Sequence, residues 1–164
     1  MIATKMQTAI NKQINAEFYS GYLYLAMAAY FRNQGLDGFG HWMELQAQEE
    51  ISHGMKMYRY IHERGGRVVL AGIDTPQEQW ESPLAVFKAA YAHEQKVTAM
   101  IYDLVELAQE LKDHATFHFL QWFVHEQVEE EASADEVVTK LEMVGASKHG
   151  LFMLDRQLGS RGSE

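Results

Sequence analysis

Only two prolines interrupt this 164-residue chain, Pro76 and Pro83, and both fall near its middle. Because proline removes a backbone donor and breaks helix interiors, long helices are free to form on either side of that region. From about Lys5 to Asn33, apolar residues recur at Ile10, Ile14, Phe18, Gly21, Leu25 and Ala28 with a helical period, and Asn33-Gln34-Gly35 is a stop signal. A short turn at Gly35 to Gly38 leads to a second predicted helix, about Phe39 to Arg64, ended by Gly65-Gly66. So short a link makes the two helices antiparallel neighbours.

Residues from about Gly66 to Ser82 hold no helical period. Roughly 17 residues at about 3.3 Å each reach about 50 Å, more than the ~40 Å of a 26-residue helix, so this stretch is a crossover strap. Ser82-Pro83 then opens a third helix, with Ser as N-cap and Pro in the first turn. Its stripe is Leu84, Phe87, Tyr91, Glu94, Thr98, Ile101, Val105 and Ala108. After a break near Lys112-Asp113, a fourth helix carries Phe117, Leu120, Phe123, Gln127, Glu130, Ala134, Val137 and Leu141, ending near Gly145. Leu151 to Leu154 with Leu158 predict a short fifth helix before a polar end. The expectation is an all-α, four-helix bundle with one long crossover and a short C-terminal helix, forming a single domain over residues 1–164.

The chain has no cysteine, which removes disulfides, zinc–thiolate sites, iron–sulfur clusters and thiol catalysis together. The first residues lack a signal-peptide core and no apolar run approaches membrane-spanning length, so a cytoplasmic soluble protein with no membrane partner is expected. A formal net charge of −9 argues against nucleic acid as a partner and favours cations.

Within the stripes sits a repeat. Glu17 precedes Glu50 by 33 positions, and Glu94 precedes Gln127 by 33; His53 follows Glu50 by three, as Glu130 follows Gln127. Spacing i, i+3 puts Glu50 and His53 on one helix face, and Phe39, Met43, Gln46, Glu50, His53, Met57 and Ile61 place that face toward the core. Folding one hairpin on the other brings these side chains together at mid-bundle. Most helix glutamates belong to solvated faces, but an unpartnered ionised carboxylate in a core costs on the order of tens of kcal/mol before relaxation. No stripe position within two turns of Glu17, Glu50, Glu94 and Gln127 is Lys or Arg, so bound cations are expected as the partners. The other escape, protonation of all four carboxyls, would still require mutual hydrogen bonds.

Four carboxylates with one imidazole suit iron or manganese better than structural zinc. Glu17, Glu50 and His53 form one site and Glu50, Glu94 and Glu130 the other, with Glu50 as the bridge. Four negative charges balance two divalent ions. Gln127 is assigned to hydrogen bonding beside the second site, with direct ligation left open, and Tyr24 shares the Glu17 face as a hydrogen-bond or electron donor or as plain core packing.

Glu17, Tyr24, Glu49-Glu50-Ile51-Ser52-His53, Glu94 and the run Trp122 to Glu131 together resemble the non-haem bacterial and archaeal ferritins, over nearly the whole chain. The resemblance implies a ferritin-like bundle with a ferroxidase centre that oxidises Fe²⁺ with dioxygen or peroxide, with Glu17, Tyr24, Glu50, His53, Glu94, Gln127 and Glu130 in the catalytic site. It also implies a homo-oligomeric shell of 24 subunits storing ferric oxyhydroxide, and a third iron site near the inner surface at Glu49, Glu126 and Glu129. The bland reading of that acidic group is a solvated face. Bacterioferritins carry E-x-x-H in both halves and a haem-ligating Met after the first motif Glu; here Ile51 stands there and Glu130 replaces the second His, so no haem is expected. Rubrerythrins need a Cys-rich domain that this chain lacks. His114 and His118, at i, i+4, read as surface or subunit interface. Tyr30, Phe31, Trp80 and Phe152 read as surplus aromatics at subunit contacts, or else as cover for the bundle. Two alternative readings are a DNA-protecting mini-ferritin of the Dps type, whose ligands lie between subunits, and a non-catalytic helical interaction protein.

Overall fold

The computed structural model describes residues 1–162. Four long helices, α1 (Thr4–Asn33), α2 (Asp37–Glu63), α3 (Pro83–Glu110) and α4 (His114–Val144), precede a short α5 (Lys148–Leu158), with no strand among the described residues. The helices end where the chain chemistry says they should. Gly35 and Gly65 adopt left-handed φ of 73° and 67°, and Leu36 N and Gly66 N return to the carbonyls of Phe31 and Ile61, at 3.0 and 2.8 Å. Ser82 caps α3 by accepting from Ala85 N at 3.1 Å. Asp113 caps α4 in the same way through Thr116 N and also holds Arg64 at 3.0 Å, tying the end of α2 to the α3–α4 turn. α5 starts three residues earlier than the apolar run implies, because Ser147 caps it through Gly150 N.

The strap runs along α1. Gln7, Asn11 and Asn15, one turn apart on one face of α1, hydrogen-bond Arg67 N, Val69 N, Arg67 O and Gly72 O at 2.8 to 3.0 Å. These amides satisfy strap backbone that has no ladder of its own, and Val68-Val69, β-branched as they are, form no strand.

The apolar core is cut in two. One half gathers Met27, Phe31, Phe39, Met43, Phe87 and Val137, the other Ile10, Ile14, Met57, Ile61, Ile101 and Leu120. Between them lies a layer of buried polar groups: Gln13, Glu17, Gln46, Glu50, His53, Glu94, Gln127 and Glu130. No Cα of α2 comes within 8 Å of one in α4, so side chains span that gap.

Two expectations need correction. Leu25 is 43% exposed and Phe18 only half-buried, because the buried face of α1 runs through Glu17, Tyr24 and Phe31, and Phe18 turns toward Gly54 of α2. Tyr30 and Phe31 are buried in the chain's own core and Trp80 packs edge-on against Tyr30, which leaves only Phe152 of that aromatic group exposed. The histidines of the i, i+4 pair, His114 and His118, are both exposed.

Gly38 lets α5 dock on the start of α2. A Cβ there would stand 1.7 Å from the Asp155 carbonyl oxygen, and Asp155 Oδ1 accepts from Phe39 N at 3.0 Å. Gly38→Ala is therefore expected to loosen α5 at a cost of about 1–3 kcal/mol, read as faster hydrogen exchange in α5 with the four long helices unchanged; unaltered α5 protection would refute this docking.

Candidate metal centre

Each element delivers its side chain to the polar layer by register. α1 brings Gln13 and Glu17, α2 brings Gln46, Glu50 and His53, α3 brings Glu94, and α4 brings Gln127 and Glu130. Ligand atoms of Glu17, Glu50 and His53 lie within 4.8 Å of one another, as do those of Glu50, Glu94 and Glu130, and those of His53, Glu126 and Glu130. The first two groups bring together the same residues as the two sets expected from the sequence, and both contain Glu50.

No hydrogen-bond donor reaches Glu17 Oε2 or Glu50 Oε2, although both are buried. Buried carboxylate oxygens without a donor are costly, and a divalent cation satisfies them. The donor set, mostly oxygen with one imidazole, fits iron or another hard first-row ion. Burial pushes the carboxyls of Glu17, Glu50 and Glu130 up, the last two well above the ordinary range, with the neighbouring Glu94 charge adding to both. Burial takes Glu94 to about 7, even though hydrogen bonds from Tyr24 and Gln127 pull the other way. His53 moves down to about 4, through burial and then the Lys56 charge, so it is a neutral donor at pH 7. Burial and mutual repulsion hold these carboxyls back from ionising, and a bound cation would offset both.

Around this cluster the hydrogen bonds are specific. Tyr24 Oη donates to Glu94 Oε1, and its phenol is raised well above 10 by burial and then by the Glu94 charge. Gln127 Nε2 donates to Glu94 Oε2 and to Thr98 Oγ1, both at 3.2 Å, the hydrogen-bonding position expected for it. Gln13 Nε2 donates to Glu17 Oε1 at 2.8 Å, and Gln46 Nε2 donates to Glu130 Oε2 and reaches Glu50 Oε1 at 3.5 Å. Trp122 stands edge-on to the His53 ring with centroids 5.4 Å apart, and Lys56 Nζ lies 3.5 Å above the Trp122 ring.

The three outer acids meet different partners, and Glu126 also belongs to the group with His53 and Glu130. Glu126 faces His53 Nε2 at 3.9 Å, Glu49 is held by Arg161 at 2.8 Å, and Glu129 pairs with His125 on the surface at 3.2 Å. Sequence reasoning missed Gln13 and Arg161 and read Gln46 only as a stripe position. The signal for the amides was available: each stands four residues before a core glutamate, and the two are 33 apart like the glutamates themselves.

Four helices burying a carboxylate–imidazole layer at mid-height define a bundle protein with side chains placed where they could hold metal ions. Residues 7–144 match the family model described as Ferritin-like domain. A bacterial non-heme ferritin of Bacteroides fragilis (strain 638R) is 46% identical over 161 residues, covering 98% of this chain and all of that one. One from Staphylococcus aureus (strain MRSA252) is 37% identical over 98% of this chain and 97% of its own length. Among solved structures, an open pore ferritin from the hyperthermophilic archaeon Archaeoglobus fulgidus superposes with a TM-score of 0.98 at 53% identity, over 99% of this chain and all of that one. An engineered closed form of the Archaeoglobus fulgidus ferritin gives 0.99 at 52% over the full length of both. This chain belongs to the ferritin family.

Proposed function

We propose that the chain is a ferroxidase that also stores its product. Fe²⁺ is the substrate, taken up by Glu17, Glu50 and His53 in one position and by Glu50, Glu94 and Glu130 in the other. Each ion gives up one electron; the pair passes two to dioxygen, which with two protons becomes hydrogen peroxide, or two to peroxide, which with two protons becomes water. The carboxylates hold the ions as their charge rises. Tyr24 and Gln127 orient Glu94 by hydrogen bonds, and haem has no part in the reaction. Ferric oxyhydroxide then accumulates in a cytoplasmic shell of 24 copies.

The single observation that carries this reading is the pair of buried clusters sharing Glu50, each complete within one chain. That completeness also disfavours the mini-ferritin reading, in which ligands come from two subunits. For assembly, support comes from apolar side chains left in solvent on the strap, Val69, Leu70 and Ile73, and on α5, Phe152 and Met153. Anaerobic Fe²⁺ titration is expected to show two tight ions per chain, with any third ion weaker, and light scattering a large homo-oligomer. Absence of tight binding sinks the ferroxidase reading, and a monomer at neutral pH sinks the shell.

A further inference from the structure

The chain end returns to the metal centre. Beyond α5, Arg161 lies against α2, where Trp42, Gln46 and Glu49 share one face at steps of four and three. Its guanidinium stacks 4.7 Å over the Trp42 ring, Nη2 donates to both oxygens of Glu49 at 3.0 and 2.8 Å, and Nη1 donates to Gln46 Oε1 at 3.0 Å. His41 Nε2 meets the Arg161 carbonyl at 2.8 Å. Arginine and glutamate here are both largely withdrawn from water, at 23% exposure each.

The Gln46 contact reaches further. Arginine has donors and no acceptor, so it accepts only one orientation of the amide: carbonyl toward Arg161, NH₂ toward Glu130 and Glu50. Gln46 itself is fully buried. The carboxylate oxygens, acceptors when ionised, favour the same orientation, so without Arg161 the amide keeps its hold on one side only.

We propose that Arg161 is a positioning residue of the metal centre: its guanidinium occupies Glu49 and helps to orient Gln46, so that the segment after α5 weakens the binding of any third cation on this side of the two-ion site. A divalent ion ligated by Glu49 would have to displace a hydrogen-bonded guanidinium or sit beside its positive charge, and either lowers its affinity. The inference rests on the metal-centre reading above, and its test separates the two.

Zn²⁺ is the probe, since it reports binding without oxidation, and calorimetric titration of the assembled protein counts the ions. Wild type is expected to bind two Zn²⁺ per chain tightly, with a third at least tenfold weaker. Arg161→Ala should tighten that third ion about tenfold, Glu49→Gln in the Arg161→Ala background should cancel the gain, and Arg161→Lys, which keeps the charge, should restore most of the wild-type behaviour. Third-ion affinity unchanged in Arg161→Ala, with two tight ions intact, overturns the role of Arg161 alone. No tight Zn²⁺ in wild type overturns the metal-centre reading and this inference with it. If Arg161→Ala does not assemble, Arg161→Gln serves in its place, expected to behave as the alanine variant is and overturning the proposal if it behaves as wild type.

Discussion

Glu50→Ala is expected to abolish both tight Fe²⁺ positions at once and to slow rapid Fe²⁺ oxidation by at least the order of 100-fold. Even an outer partner of a metal ligand is worth 10–100-fold, and Glu50 belongs to both of the clusters that would each hold one ion. Glu130→Ala should weaken the ion shared by Glu50 and Glu94 while the ion of Glu17, Glu50 and His53 persists, since Glu130 is absent from that group. Glu129→Ala should change the fast phase little, because that side chain is on the surface with His125. Unfolding is no substitute explanation for a Glu50→Ala loss. Removing one of four crowded, buried carboxyls relieves like-charge repulsion, so the isosteric Glu50→Gln should fold at least as well without metal as wild type does. Stopped-flow oxidation at two Fe²⁺ per chain measures all four variants, and a fast phase retained in Glu50→Ala would end both the bridging role and the ferroxidase reading.

What the chain pattern made legible, and what it hid, follows from the range of the interactions. Helix ends were readable because Gly35, Gly65 and the Ser82-Pro83 pair act within a few residues of themselves. The clusters were readable because a repeat of 33 puts Glu17 beside Glu50 and Glu94 beside Gln127 once each hairpin closes, whatever the rest of the bundle does. Arg161 was not readable. Its place depends on α5 reaching across to α2, which in turn depends on the absence of a side chain at Gly38. Nothing local to the polar end records that contact. The misplaced stripe through Leu25 has a similar origin: α1 packs on both α2 and α3 and also carries the strap, so a single apolar period does not describe it.

The cut through the apolar core has a thermodynamic cost, and its size should depend on pH and on metal. Glu94 titrates near 7 in the fold against an ordinary 4.5. Between those values the folded chain keeps a proton that the unfolded chain has released, so stability from this group is full below 4.5 and lost as pH rises through 7, about 3 kcal/mol in all. Glu17, Glu50 and Glu130 act in the same direction. His53 opposes them, as does His93, which lies on α3 with Nε2 2.7 Å from Ser20 Oγ. Burial first, and then a nearby lysine charge, holds each down at about 4 from 6.5, so their contribution is present above 6.5 and lost as pH falls through 4. Four carboxyls outweigh two imidazoles, and metal-free protein should weaken from pH 5 to 7. Bound cations reverse the sign, because they require the ionised carboxylates that high pH supplies. At fixed protein concentration, the Tm gap between Zn²⁺-loaded and chelator-treated protein is expected to widen by roughly 10 °C from pH 5 to 7. Glu94→Gln, which has no proton to lose there, should flatten the metal-free limb of that curve. A gap constant across this range would mean that the buried carboxyls do not hold the ions.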